Sequence, residues 1–123
     1  MYSDTLLDHF RNPRNVGELA PPAITVEVSN PACGDILRLS ALIEEGKVAE
    51  SRYRVRGCTA SIAAGSALTE MMVGRTSESL SSISAGDVEE RLDGLPSASK
   101  HAAALCLDGV RALMAALTDP QRT

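Results

Sequence analysis

The strongest constraint on the fold of this chain is a pair of alternating segments on either side of a short polar turn. From Ile36 to Ile43 an apolar residue occupies every second position, and the same period of two returns from Val48 to Arg56. Alternation of this kind is typical of strands that bury one face. Glu44-Glu45-Gly46-Lys47, between the two segments, has the composition of a tight turn. The pattern therefore predicts an antiparallel hairpin.

Elements on both sides of the hairpin complete the expected fold. Ser3 is placed to cap a short helix that stops at Asn12-Pro13, and Ile24 to Val28 alternates as a first strand. After the hairpin the apolar spacing becomes helical, which predicts helices at 60–73, 76–83, 87–92 and 98–117. One helix, three strands and several helices in that order indicate an α+β fold, with a three-stranded antiparallel sheet packed against helices. We expect residues 1–123 to form a single domain.

Charge and composition exclude several classes of partner. The net charge is -4, so the chain lacks the excess positive charge that attracts nucleic-acid phosphates. Its aromatic residues are two tyrosines and one phenylalanine, too few to provide a surface for base stacking. No window approaches the roughly 18 to 20 unbroken apolar residues of a membrane span. The first residues lack the basic and apolar regions of a secretory signal. We therefore expect a cytoplasmic protein with no nucleic-acid or membrane partner.

The second strand of the predicted hairpin carries a basic stripe. Arg52, Arg54 and Arg56 point to one face, and Ala49, Ser51, Tyr53 and Val55 point to the other. Antiparallel sheets commonly leave one face in solvent, so we expect the arginines on that exposed face. Docking of an acidic partner is the alternative interpretation.

The cysteines indicate where chemistry is expected. The chain has three, with no CxxC pair and no HExxH segment, so a metal site would have to combine distant segments. Cys33 and Cys58 are almost equally far from the turn, and antiparallel pairing therefore returns both to the open end of the hairpin. Asp35 adds an oxygen ligand there, and the helix that follows Cys58 favours negative charge at its start. The alternative is that both cysteines are small buried apolar residues.

Two histidines and the third cysteine are less informative. His101 lies near the start of the last helix and can reach the site from a third direction, although a structural role is the alternative. His9 is expected on the surface. Cys106 lies on the apolar stripe of the last helix, which favours a core position over a ligand role. Five residues along a helix turn through about 140°, so His101 and Cys106 are expected to diverge.

Three segments form a specific combination of motifs. They are DHFRNPRNVG at 8–17, NPACGD at 30–35 and GCTASIA at 57–63. With these motifs in this order, nearly the whole chain resembles the iron-sulfur cluster assembly scaffolds of the IscU and NifU N-terminal type. The resemblance implies a transient [2Fe-2S] cluster, or Zn²⁺ in the isolated protein, held by Cys33, Asp35, Cys58 and His101. It also implies a cysteine desulfurase and apo iron-sulfur acceptor proteins as partners, for a monomer or weak homodimer.

The last segment departs from the family pattern in two ways. A gapless match keeps His101 in place but puts Ala102 where the third family cysteine stands, and Cys106 follows one helical turn later. In the segment that resembles a docking site for a specialised Hsp70 chaperone, Ser97 and Ser99 replace a proline and a lysine. Chaperone-assisted release by that route is therefore not expected.

Three functional hypotheses follow from these residues. The first is a non-enzymatic scaffold for iron-sulfur cluster assembly, with Asp35 as a labile ligand. The second keeps the fold but makes the chain a divergent zinc-binding paralogue that regulates a desulfurase through the same ligands. The third, from another class, is a thiol enzyme with Cys58 as the nucleophile and His101 as the base.

Overall fold

A computed structural model of the chain describes residues 1–31 and 34–118. In chain order the elements are α1 (Asp4–Arg11), β1 (Ile24–Ser29), β2 (Ile36–Glu44), β3 (Lys47–Arg56), α2 (Thr59–Met72), a 3-10 turn (Glu78–Ser82), α3 (Ala85–Arg91), a second 3-10 turn (Ser97–Ser99) and α4 (His101–Thr118). The α+β fold expected from the sequence is confirmed. The segment predicted as a helix at 76–83 forms the shorter 3-10 turn.

β2 and β3 form the predicted antiparallel hairpin, and β1 pairs with the other side of β2. The turn between them is Glu45-Gly46, whose φ angles of 54° and 76° are both in the left-handed region. Positive φ at both positions is the geometry of the two-residue turn that matches strand twist. The register aligns Ile36 with Arg56, so Asp35 and Gly57 come together at the open end of the hairpin.

A β-bulge changes which residue of β3 faces the core. Ile43 pairs with Val48 across a register shift, and Ala49 is the extra residue. Val48 is 1% exposed, whereas Ala49 lies in solvent. The expectation that Ala49 shares the buried face with Ser51 and Tyr53 is wrong, because one inserted residue reverses the alternation at that end of the strand.

The core lies between one face of the sheet and the two long helices. α2 packs against β3, and α4 packs against β1 and β2. α4 packs tightly on the sheet at Gly109, where an added Cβ would lie 2.8 Å from Cδ2 of Leu37. The segment Ser97–Thr118 is long and apolar enough to cross a membrane by length and composition alone. Core helices pass the same test, and the buried side of α4 packs against the sheet.

Because α2 packs closely on β3, we expect a substitution of Gly65 to destabilise the protein. A Cβ at this position would lie 2.4 Å from Cδ2 and Cε2 of Tyr53. This tyrosine is 2% exposed, and its hydroxyl donates to the Ile62 carbonyl at 2.7 Å. We expect Gly65→Ala to lower the free energy of unfolding by about 1–3 kcal/mol through overpacking. Gly86→Ala in α3 is the control, because its Cβ would meet only Ser84 Oγ at 3.6 Å. Equal urea midpoints for the two variants would contradict this packing.

The arginine stripe of β3 lies on the outer face of the sheet, as expected. Arg54 and Arg56 are exposed and Arg52 is half-buried. Arg52 donates to Oδ1 of Asn15 at 3.1 Å and pairs with Glu50 at 3.6 Å.

His9 is buried, and its predicted surface position is wrong. α1 packs against α2, so the inner face of α1 buries both Leu6 and His9, the latter being 5% exposed. His9 Nδ1 lies 2.7 Å from Ser66 Oγ, and its Nε2 lies 3.6 Å from Glu70. Burial lowers the pKa of His9, with the nearby Arg14 guanidinium acting in the same direction. The N-terminal helix is therefore attached to the core through a polar contact as well as an apolar one.

Candidate metal centre

Three segments meet at the open end of the hairpin. Asp35 immediately precedes β2, Cys58 follows β3 as the residue that caps α2, and His101 is the first residue of α4. The hairpin register brings the first two together, and packing of α4 on the sheet brings the third. Asp35 is 6% exposed, while Cys58 and His101 are half-buried. The group is therefore open to solvent on the side of the thiol and the imidazole.

The three potential ligand atoms form a compact triangle. Cys58 Sγ lies 3.4 Å from Asp35 Oδ2 and 3.4 Å from His101 Nε2. The third side, from His101 Nε2 to Asp35 Oδ2, measures 3.6 Å. Sequence reasoning predicted all three residues for one site, and the structure brings all three together.

These distances fit one face of a metal tetrahedron. Ligands that bind Zn²⁺ at about 2.0–2.3 Å in tetrahedral geometry lie about 3.3–3.8 Å from one another. The three measured separations, 3.4, 3.4 and 3.6 Å, fall inside that interval. Thiolate, imidazole and carboxylate together form a mixed set that suits a borderline divalent cation such as Zn²⁺ or Fe²⁺. The residues present therefore fit a metal ion.

Gly57 allows the backbone to pass directly over the Asp35 carboxylate. A Cβ at this position would lie 2.5 Å from Asp35 Cγ and 2.7–2.8 Å from both carboxylate oxygens. Such distances are shorter than van der Waals contact. The small residue before Cys58 is thus required by the position of the carboxylate.

Ser61 belongs to the same group, and sequence reasoning missed it. It lies on the first turn of α2, is 2% exposed and donates from Oγ to Asp35 Oδ2 at 2.6 Å. Its Oγ also lies 3.4 Å from Cys58 Sγ. Residues three apart on a helix share a face, so the spacing from Cys58 was an available signal.

The fourth predicted ligand, Cys33, lies outside the described residues. Its neighbour Gly34 has a φ of 78°, and the Gly34 amide donates to the Asn30 carbonyl at 2.7 Å. Its assignment to the site stays a prediction.

Cys106 and Ala102 both belong to the core. Cys106 is 2% exposed, and burial raises the pKa of its thiol to about 12. Ala102, beside His101 in the chain, is 0% exposed. Within residues 1–31 and 34–118, the cluster that could hold a metal ion contains neither of them. The core interpretation of Cys106 is the one that its burial supports.

Cys106→Ala separates a core role from a ligand role. Deletion of one buried sulfur should lower the free energy of unfolding by about 1 kcal/mol, because a small cavity is left. Metal stoichiometry should be unchanged, since the thiol lies outside the cluster. Metal analysis and urea denaturation measure the two effects. Loss of bound metal without a change in apo-protein stability would overturn the core assignment.

A family model and individual relatives both match nearly the whole chain. The family model of the NifU-like N-terminal domain matches residues 1–122. An iron-sulfur cluster assembly scaffold protein IscU from Archaeoglobus fulgidus is 38% identical over 111 residues, which cover 90% of this chain and 72% of that protein. The IscU scaffold protein of Azotobacter vinelandii is 39% identical over 115 residues, covering 90% of this chain and 89% of that protein.

Solved structures show the same fold at lower sequence identity. The N-terminal part of a NifU-like protein from Brucella abortus superposes with a TM-score of 0.60 and 22% identity, covering 89% of this chain and 77% of that one. A SUF-system scaffold protein from Fervidobacterium islandicum gives a TM-score of 0.61 at 20% identity, covering 98% and 85%.

Proposed function

The chain belongs to the family of NifU-like N-terminal domains, and we propose that it is a scaffold on which an iron-sulfur cluster is assembled and then passed to apo-proteins. The observation that carries the proposal is the ready-made group of Asp35, Cys58 and His101 at a solvent-accessible edge of the fold. A scaffold needs ligands that accept iron from solution and release it again. The cluster is therefore cargo, and the protein is a carrier rather than an enzyme.

The mixed donor set supports transient binding. Carboxylate is a harder ligand than iron-sulfur centres prefer, so a cluster held partly by Asp35 and His101 is bound less tightly than one held by four thiolates. Weak binding suits a protein that must release what it assembles. We infer a [2Fe-2S] cluster as the cargo, held by Cys33, Asp35, Cys58 and His101.

Zinc binding is the second candidate function, favoured by the ligand spacing. The triangle with sides of 3.4, 3.4 and 3.6 Å matches a single tetrahedral ion. Atoms that bind two different irons of a dinuclear cluster need not be so close together. On this alternative the chain holds one Zn²⁺ and regulates a desulfurase instead of building clusters.

The proposed partners follow from the chemistry of the cargo. Sulfide in a cluster must come from a sulfur donor, for which a cysteine desulfurase is proposed, and the finished cluster must go to an apo iron-sulfur protein. We place this exchange in the cytoplasm. Ser97 and Ser99, in the 3-10 turn before α4, depart from the chaperone-docking pattern, so release is proposed to proceed without the specialised Hsp70.

Anaerobic reconstitution tests the function directly. The purified chain is incubated with ferrous iron and sulfide, and absorption spectroscopy, iron and sulfide analysis and transfer to an apo-ferredoxin are measured. We expect two irons and two sulfides per bound cluster and transfer to the acceptor. Binding of one Zn²⁺ without any cluster would favour the regulator. Catalytic turnover that depends on the Cys58 thiol, with neither a cluster nor zinc bound, would favour the enzyme with Cys58 as nucleophile and His101 as base.

A further inference from the structure

Ser61, on the first turn of α2, donates a short hydrogen bond to Asp35. Its Oγ lies 2.6 Å from Asp35 Oδ2, compared with 3.4 Å for Cys58 Sγ and 3.5 Å for the Cys58 amide nitrogen. A hydrogen bond from a hydroxyl to a carboxylate at this distance is charge-assisted and among the stronger ones in proteins. Ser61 is 2% exposed and Asp35 is 6% exposed, so water competes little for either group.

The Ser61 hydroxyl bonds away from its own helix. A serine hydroxyl further inside a helix can donate back to a carbonyl of the preceding turn. Ser61 instead donates across to the segment before β2, which ties the first turn of α2 to Asp35. The bond therefore serves the carboxylate rather than the helix.

The oxygen that accepts this bond is the one that completes the ligand triangle. Asp35 Oδ2 is the atom 3.4 Å from Cys58 Sγ and 3.6 Å from His101 Nε2. A carboxylate oxygen has two lone-pair directions, so it can accept from Ser61 and still bind a cation. The hydroxyl thus fixes the carboxylate rotamer that points one oxygen at the other two ligands.

We propose that Ser61 is a positioning residue of the metal centre, which acts through Asp35 to set the affinity of the site for a divalent cation such as Zn²⁺ or Fe²⁺. This proposal rests on the proposed function in that it concerns the same site. Hydrogen-bond partners of metal ligands restrict the orientation of those ligands, and their removal typically costs about 10–100-fold in metal affinity.

Zinc titration of the apo-protein tests the role of Ser61. Ser61→Ala should weaken Zn²⁺ binding by about 10-fold, the lower end of the range for such partners. In an Asp35→Ala background the same substitution should have no further effect, because the group through which it acts is missing. An equal loss in both backgrounds, no loss, or tighter binding would each overturn the proposal.

A second buried serine of α2 supplies the matched control. Ser66 is 0% exposed and its hydroxyl contacts His9 Nδ1 at 2.7 Å, so Ser66→Ala removes a buried hydroxyl from the same helix without touching the ligand cluster. It should lower stability and leave zinc affinity unchanged. Ser61→Thr keeps a hydroxyl and should retain parent-like affinity. If Ser61→Ala fails to fold, the folded threonine variant decides, since weakened binding there contradicts the proposal.

The outcomes distinguish this inference from the scaffold function. A parent protein that assembles a cluster, but whose zinc affinity does not respond to Ser61→Ala, contradicts the role of Ser61 alone. A parent protein whose zinc affinity depends on Ser61 through Asp35, but which assembles no cluster, contradicts the scaffold function alone. A parent protein that does not bind zinc overturns the inference.

Discussion

Replacing Cys58 by alanine should abolish tight metal binding and cluster assembly. Cys58 supplies the thiol of the candidate ligand cluster among the described residues, and its Sγ lies 3.4 Å from both Asp35 Oδ2 and His101 Nε2. Loss of a group that only orients a ligand already costs about 10–100-fold in affinity, so loss of the thiolate itself should cost more than about 100-fold. Zinc titration and anaerobic reconstitution measure the effect. Cys33→Ala is expected to behave in the same way.

Two further variants make this result interpretable. Cys106→Ala removes a buried thiol outside the described cluster, and it should bind metal as the parent does. Cys58→Ser keeps the size of the side chain but replaces a soft ligand by a hard one, so it should also lose most of the affinity. Because Cys58 is half-buried at the helix start, the apo-form of Cys58→Ala should melt close to the parent. Parent-like reconstitution of a folded Cys58→Ala protein would show that the site is elsewhere.

Gly57→Ala should damage the metal site almost as severely while leaving most of the fold intact. The added Cβ would lie 2.5 Å from Asp35 Cγ, and Ser61 holds that carboxylate in place at 2.6 Å. Asp35 must therefore leave its present rotamer, which removes one corner of the ligand triangle. We expect zinc affinity to fall by about 10–100-fold, the range for loss of a group that orients a ligand, because the carboxylate is moved rather than deleted.

A double variant identifies the cause of this effect. Asp35→Ala removes the carboxylate with which the new Cβ collides, so Gly57→Ala should add little to the affinity loss in that background. The double variant should also regain stability relative to Gly57→Ala alone, because the steric conflict is gone. Gly86→Ala, which makes only a 3.6 Å contact with Ser84 Oγ, is the control for a glycine substitution. If the losses of zinc affinity caused by Gly57→Ala and Asp35→Ala were additive in the double variant, the collision would be ruled out as the cause.

The hairpin shows how much of the site a local sequence pattern can predict. Period-two alternation and a two-residue turn determine the register, and the register brings the segments before β2 and after β3 together. Asp35 and Cys58 could thus be assigned to one site from the sequence, whereas His101 depended on a helix start and on family motifs. The same pattern misplaced Ala49, since a single bulged residue leaves no clear signal in the alternation.

His9 shows where local reasoning fails for a polar residue. The residues around His9 are mostly polar, and nothing nearby in the chain shows that α1 packs against α2. Ser66, 57 positions later, provides the hydrogen-bond partner that makes burial of His9 tolerable. Such a partner is defined only by the folded arrangement of the two helices.

By itself the sequence determined the α+β fold and the hairpin that brings Asp35 and Cys58 together, because periodicity and turn chemistry are local properties. The family motifs added His101 as the third candidate ligand. Only the tertiary structure decided the finer geometry of the site. The 2.6 Å bond from Ser61 to Asp35, the close approach of Gly57 to that carboxylate and the burial of His9 all depend on how the helices pack on one another and on the sheet. Contacts between segments far apart in the chain are set by the packing of side chains in three dimensions, for which a local sequence pattern carries little information.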